Sequence, residues 1–202
     1  MGEVVEQRCD WCHGNDLYID YHDLEWGTPL YDEQLLFEFL VLEGAQAGLS
    51  WITILKKREN YRLAFDEFDP EKVARYDEKK VAELLGNAGI VRNKLKIHSA
   101  INNARQMLEI KETGISFTEF LWQTVDGVPI QNEFSTMKEV PASTPLSDQL
   151  CKRLKKAGFN FVGSTICYAF MQATGMVNDH LLRCPRHTEC RDQALSNSKS
   201  GF

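Results

Sequence analysis

Apolar positions recur at helical spacing through most of the chain. Leu35, Leu36, Phe39, Leu40 and Leu42 fall in LLFEFLVLEG, and Asp32 stands where a helix cap belongs. Gly44 and Gly48 loosen the end of that helix, and Ser50 is placed to cap a second one over WITILKKRENYRLAF. Asp69-Pro70 reads as a cap followed by proline at the first helical position. The stretch beyond it, EKVARYDEKKVAELLGNAG, makes one helix or two short ones. Ser116 and Glu119 have capping-box spacing, Thr144-Pro145 opens a helix that Gly158 closes, and Ser164 opens one that Gly175 closes. No stretch alternates with period two for long, so the fold class is all-α. The last twelve residues, RDQALSNSKSGF, are polar and expected to be disordered. No internal repeat is visible.

A chain of 202 residues with 43% hydrophobic content supports one sizeable core or two lobes sharing a cleft. It lacks an apolar run of about 18 residues, which predicts no membrane span. MGEVVEQRCDW has neither the basic nor the apolar region of a signal peptide, so a cytoplasmic location is expected. In a reducing compartment, six cysteines point to free thiols or metal ligands.

The net charge of -6 argues against a nucleic-acid binder until its distribution is considered. Residues 1 to 50 carry eleven acidic side chains and only Arg8 as a base. The rest of the chain is net basic, with clusters at Lys56-Lys57-Arg58, at Arg92, Lys94 and Lys96, and at Lys152-Arg153 with Lys155-Lys156. Taken alone, each cluster reads better as a solvated helix face than as a binding surface. The second lies in LLGNAGIVRNKLKI, where a helix ends in a glycine turn and a basic helix begins. That pattern fits a helix-hairpin-helix over about residues 78–105. A turn at Asn87-Ala88-Gly89 would leave backbone N–H groups open to a phosphate, with Gly89, Arg92 and Lys94 as candidate DNA contacts. A plain helical hairpin has the same pattern.

Eight of the eleven Cys and His residues lie near the two ends: Cys9, Cys12, His13 and His22, then His180, Cys184, His187 and Cys190. This suits a zinc staple between the terminal segments, and several quartets are open. Cys9 and Cys12 also form a CxxC pair, but no βαβ context supports a redox motif.

Tyr18, Tyr21 and Trp26 are separated by polar residues, and with Trp11 and Trp51 they can line a pocket for a flat ring. Singly, each reads as core. Glu43 ends an apolar helix among Gly44, Ala45, Ala47 and Gly48, with Trp51 close behind. A carboxylate there requires a partner or a ligand.

RCDW, LYIDYHDLEWG, LEGAQAGLSWITILKKRENYR, FDPEKVA, NAGIVRNKLKI, FLW, LKKAGFNFVGSTICYAFMQATGMVNDH and Cys184 together resemble the DNA-3-methyladenine glycosylase I family, from about residue 8 to about residue 184. The resemblance implies a helix-hairpin-helix glycosylase fold with two lobes flanking a base pocket, here one domain over residues 1–190. It implies excision of 3-methyladenine from alkylated double-stranded DNA, releasing the base and leaving an abasic site. By motif position it implies one structural zinc on Cys9, His22, His180 and Cys184, which makes Cys12, His13, His187 and Cys190 bystanders. It also implies base recognition by Glu43, Tyr18, Tyr21 and Trp51, with Trp11 near the pocket. The Ala47-Gly48-Leu49 turn is expected at the gap left in the duplex. Many relatives in the superfamily carry an Asp about twenty residues past the hairpin. The corresponding ARQMLEIKETGISF has none, and Glu109 and Glu112 read as a solvated helix end. No lysine stands out as a Schiff-base nucleophile, so no lyase step is expected. Nothing in the sequence demands more than a monomer.

Overall fold

The computed structural model describes residues 7–197. After a 3-10 turn at Asp10–Cys12 come α1 (Asp16–Leu24), α2 (Glu33–Gln46), α3 (Trp51–Leu55), α4 (Arg58–Ala64), α5 (Pro70–Val73) and α6 (Glu78–Gly86). The chain continues through α7 (Lys94–Glu112), α8 (Phe117–Trp122), α9 (Pro145–Lys156), α10 (Ser164–Ala173) and α11 (Pro185–Asn197). The only strands among the described residues are two-residue stubs, β1 (Ile130–Gln131) and β2 (Val177–Asn178), paired in parallel. The all-α reading therefore holds for the body of the fold.

The caps are where the sequence places them. Asp32 accepts from Leu35 N, Asp69 from Glu71 N and Lys72 N, and Ser116 from Glu119 N. Thr144 and Ser147 form a full reciprocal box at the start of α9. Ser50 holds the N-cap position of α3 but bonds Thr53 Oγ1 rather than a backbone N–H. The helix expected over WITILKKRENYRLAF is broken at Lys56-Lys57 into α3 and α4. That break brings Arg58 beneath α2, beyond the reach of a straight helix.

The core is centred on α2, which packs against α3, α7, α8 and α10. Leu36 to Ala45 are all buried, an apolar surface on every side that only a central helix has. Glu38 lies inside that run with charged partners. Arg58 Nε reaches it at 2.5 Å and Arg62 Nη2 at 2.9 Å, while Arg58 Nη1 holds Glu25 at 2.6 Å. This network ties the end of α1 and the face of α4 to α2.

One sequence expectation is corrected. The polar tail from Arg191 is helical as far as Asn197, continuing α11, and residues 198–202 lie outside the described part. His187, Cys190 and Ala194 are buried at helical spacing and dock the helix. Its polar average hides a narrow apolar stripe.

The turn after α10 brings backbone against backbone. A Cβ on Gly175, whose φ is +67°, would lie 2.3 Å from the Thr28 carbonyl carbon and 2.4 Å from Pro29 N. Gly175→Ala should therefore destabilise the fold by about 3 kcal/mol, combining overpacking with left-handed strain. Urea denaturation of the purified variant measures this.

Candidate active site and metal centre

Three short elements bring the aromatic residues together. Trp11 follows Cys9 in the first turn, Tyr18 and Tyr21 face one way from α1, and Trp51 opens α3. Trp11 meets Tyr18 edge-on at 5.5 Å and Trp26 at 5.1 Å, and Tyr21 lies 5.5 Å from Trp51. Tyr18 Oη accepts from Ile52 N at 3.0 Å, which fixes the start of α3 against α1. These rings wall a cavity of about 320 Å³, with Glu43 among its lining residues. The size is that of a small-ligand site.

Three buried polar atoms of the cavity lining lack partners within the protein. Glu43 is 3% exposed, yet its Oε2 has no hydrogen bond, and neither does Trp11 Nε1 or Trp51 Nε1. Those are three of the four such buried side-chain atoms among the described residues, and all three residues line this one cavity. Buried polar atoms are almost always satisfied, so their clustering marks a place prepared for a ligand with complementary groups. Loss of water pushes the Glu43 carboxyl up to about 8, so it is largely protonated at neutral pH in the free protein. Tyr21 is pushed up as well, chiefly by burial and then by the nearby Glu43.

Beside this wall, Cys9, His22, His180 and Cys184 are all buried, with one donor atom from each lying within 4.8 Å of the others. Cys184 Sγ is 3.6 Å from His22 Nε2 and 3.7 Å from His180 Nδ1, and Cys9 Sγ is 3.7 Å from His180 Nδ1. Tetrahedral zinc with its usual bond lengths sets S and N about 3.6 Å apart, so the cluster fits such an ion. The tautomers agree. His180 Nε2 lies 2.8 Å from the Trp26 carbonyl, which only accepts, so His180 turns its Nδ1 lone pair to the thiols. His22 Nδ1 lies 2.7 Å from Asp23 Oδ1, leaving its Nε2 lone pair for the cluster. Burial pulls His180 below the usual imidazole range, which keeps it neutral. The Cys9 S–H, donating to Cys184 Sγ, holds the Cys184 thiol far below its ordinary value. Cys12 turns away and donates to the Cys9 carbonyl at 3.1 Å. His187 Nε2 bonds the Asn132 carbonyl, and Cys190 packs near Gly27.

A family model for methyladenine glycosylases matches residues 11–187. The chain belongs to the methyladenine glycosylase family. It is 53% identical over 178 residues to DNA-3-methyladenine glycosylase 1 of Escherichia coli (strain K12), covering 88% of this chain and 95% of that protein. A crystal structure of 3-methyladenine DNA glycosylase I superposes with a TM-score of 0.87 at 54% identity, over 89% of this chain and 98% of the other. The structure of 3-methyladenine DNA glycosylase I from Staphylococcus aureus, solved for the basis of 3-methyladenine recognition, gives 0.85 at 38% identity, over 91% and 97%.

In this member of the family the cavity also has walls that sequence reasoning missed. Met137, Val140 and Pro141 come from the loop between β1 and α9, and Ala169 and Gln172 come from α10. The loop has no periodicity to betray it. Gln172 did carry a usable clue, being a polar residue inside the apolar run TICYAFMQAT. Its Nε2 donates to the buried Asp179 at 2.8 Å.

The hairpin differs from expectation in one respect. Its turn does not leave its N–H groups open: Gly89 N donates to Asn87 Oδ1 at 2.8 Å and Val91 N to Tyr61 Oη at 3.1 Å. A Cβ at Gly89 would lie 3.0 Å from Asn60, so this glycine permits close packing on α4. Arg92 and Lys94 are exposed. Gly48, with φ +79°, and Leu49, 41% exposed, project from the turn after α2. Glu109 and Glu112 are exposed on α7, away from the cavity lining.

The raised Glu43 carboxyl has a consequence for stability. The unfolded side chain ionises near its ordinary 4.5 and the folded one near 8, so the native state holds the extra proton between those values. Stability from this group is complete below about 4.5 and is lost as pH rises toward 8, by at most about 1.4 kcal/mol per unit. The stability of Glu43→Gln relative to the parent should thus grow from pH 5 to pH 8. Paired urea melts at several pH values should show the divergence, and parallel curves would rule out the shift.

Proposed function

We propose that this chain is a monofunctional DNA repair glycosylase that flips 3-methyladenine out of alkylated double-stranded DNA and excises it by hydrolysis. The observation that carries this reading is the set of unpartnered atoms on Glu43, Trp11 and Trp51 around one aromatic cavity. A base inside a duplex must leave the stack to be reached. In DNA, 3-methyladenine is cationic, and electron-rich ring faces attract it. Its arrival beside Glu43 supplies the counter-charge that the buried carboxyl lacks, so the carboxyl gives up its proton and accepts hydrogen bonds from the base.

Cleavage returns the electron pair of the N-glycosyl bond to the base and cancels its charge. The sugar becomes oxocarbenium-like, and water adds its oxygen to C1′ and releases a proton to solvent. The leaving group is activated by its own charge, so most of the work is to hold the flipped nucleotide near its transition-state geometry. Glu43 is the only carboxylate among the lining residues, and we assign it recognition and electrostatic roles. No lysine lines the cavity, in keeping with a reaction that ends at the abasic site.

Around this pocket we read one two-lobed domain whose α6–α7 hairpin is a helix-hairpin-helix gripping the phosphate backbone through Arg92 and Lys94, with Gly89 packing its turn on α4. Gly48 and Leu49 fill the space left by the flipped base. Cys9, His22, His180 and Cys184 would hold one structural zinc, which supplies a closed four-ligand cross-link between the two terminal segments. No helix among the described residues is long and apolar enough to cross a membrane, and we read the protein as a cytoplasmic monomer.

Two measurements test these assignments. Protein incubated with methylated duplex DNA should release 3-methyladenine, and Glu43→Gln should slow single-turnover release by about 100-fold; an unchanged rate would remove Glu43 from the chemistry. Metal analysis should find about one zinc per chain in the parent and in Cys12→Ser but none in Cys184→Ser. Loss of zinc from Cys12→Ser would instead support a metal or redox role for the CxxC pair.

A further inference from the structure

The basic residues around the hairpin divide into two groups. Arg92, Lys94 and Lys56 are exposed. Lys96 and Lys57 are half-buried, and each ammonium is bonded to backbone carbonyls of the facing element. Lys96, in the first turn of α7, places Nζ 2.7 Å from the Ala45 carbonyl and 2.7 Å from the Ala47 carbonyl. Lys57, between α3 and α4, places Nζ 2.8 Å from the Ala88 carbonyl in the hairpin turn.

A cation at the N-terminal end of α7 opposes that helix's dipole, so Lys96 is not there for the sake of its own helix. It reaches the opposite kind of terminus. Ala45 lies in the last turn of α2 and Ala47 is its C-cap, where carbonyls lack partners and a positive charge is favourable. Loss of water pulls the Lys96 ammonium below its usual range, consistent with the half-buried geometry. Beyond Ala47 the chain turns through Gly48 and Leu49 to Ser50, with Leu49 N donating to the Gln46 carbonyl at 2.6 Å. A Cβ on Gly48 would meet nothing within 4 Å, so the tip of this turn is open and its base is what fixes it.

We infer that Lys96 is a positioning residue: it locks the Ala47–Ser50 turn to the α6–α7 hairpin, so that a hairpin seated on a DNA backbone sets where Leu49 enters the duplex. Lys57, from the α3–α4 junction, bonds the other side of the hairpin at Ala88 and leaves the turn itself to Lys96. Lys96 is then a strut between two DNA-facing elements and makes no phosphate contact of its own. This inference rests on the excision reading proposed above.

The test separates the two roles by their different signatures. Lys96→Met keeps the aliphatic stem and removes the ammonium. Three quantities are read on the full chain: single-turnover excision of 3-methyladenine from methylated duplex, binding of free 3-methyladenine, and the slope of log Kobs against log[salt] for undamaged duplex. A strut predicts excision slowed roughly 10–100-fold by misplacement of the turn, with free-base affinity and salt slope unchanged. A phosphate contact predicts a slope shallower by about 0.9, which would overturn the proposal. Unchanged excision would overturn it too, as would a loss of free-base binding in parallel with excision, which would indicate general damage to the pocket. If Lys96→Met does not fold, Lys96→Gln, which removes the charge and keeps a polar head, is held to the same three outcomes. Arg92→Met is the control, since its slope should fall by about 0.9. A parent protein that released no 3-methyladenine would refute the excision reading itself, separately from any result with the lysine variants.

Discussion

Ten consecutive residues of α2, Leu36 to Ala45, are withdrawn from water, and two of them are carboxylates. Burying one aliphatic or aromatic side chain is worth about 2 kcal/mol, and an unpaired buried charge costs more than that. The two glutamates meet this constraint in opposite ways. Glu38 is met by Arg58 and Arg62, and because Arg58 also holds Glu25, the pair fixes α1 and α4 relative to α2. Glu43 keeps an unpartnered oxygen and takes a proton instead. The first arrangement makes the framework rigid; the second keeps a carboxyl in reserve at the wall of a cavity. Neither could exist if α2 were a surface helix.

The basic residues show a similar division of labour. On sequence alone, Lys56-Lys57-Arg58 and Arg92 with Lys94 and Lys96 look like two patches of one cationic surface. In the structure, Arg58 is buried against Glu25 and Glu38, and Lys57 and Lys96 bond backbone carbonyls. Charge counted from a sequence therefore overstates what a DNA backbone can meet. Of these six residues, Lys56, Arg92 and Lys94 remain exposed.

The helices were legible because apolar spacing and capping residues are local properties. Asp32, Asp69, Ser116 and Thr144 cap as their sequence context predicts. The break between α3 and α4 was not legible, because no glycine or proline marks it and Arg58's attachment to α2 is tertiary. The polar tail was misread for the same reason: His187, Cys190 and Ala194 are three buried positions in a polar segment, visible only once there is a surface to dock on. Within the site, the residues at the two chain ends could be paired in several ways from spacing alone, and the resemblance chose one quartet. The structure brings those four together and turns Cys12, His187 and Cys190 to other partners. The loop residues Met137, Val140 and Pro141 had no local signature at all.

The Cys9, His22, His180 and Cys184 cluster and the cavity are two sides of one aromatic wall. Tyr21 and His22 are adjacent in α1, and one lines the cavity while the other enters the cluster. The Trp26 ring lies 4.6 Å from His180 on one side and 5.1 Å from Trp11 on the other, and the Trp26 carbonyl fixes the His180 tautomer. Trp11 itself sits between Cys9 and the cavity, 5.5 Å from both His22 and Tyr18. A metal ion bound by Cys9, His22, His180 and Cys184 would therefore brace Trp11, Tyr21 and Trp26 without touching a ligand. A third of the cavity lining, Trp11, Tyr18, Tyr21 and Trp26, comes from residues 11–26. The four-residue cluster joins that segment to His180 and Cys184, more than 130 residues beyond Glu43 in sequence, so the pocket and the far end of the chain are positioned together.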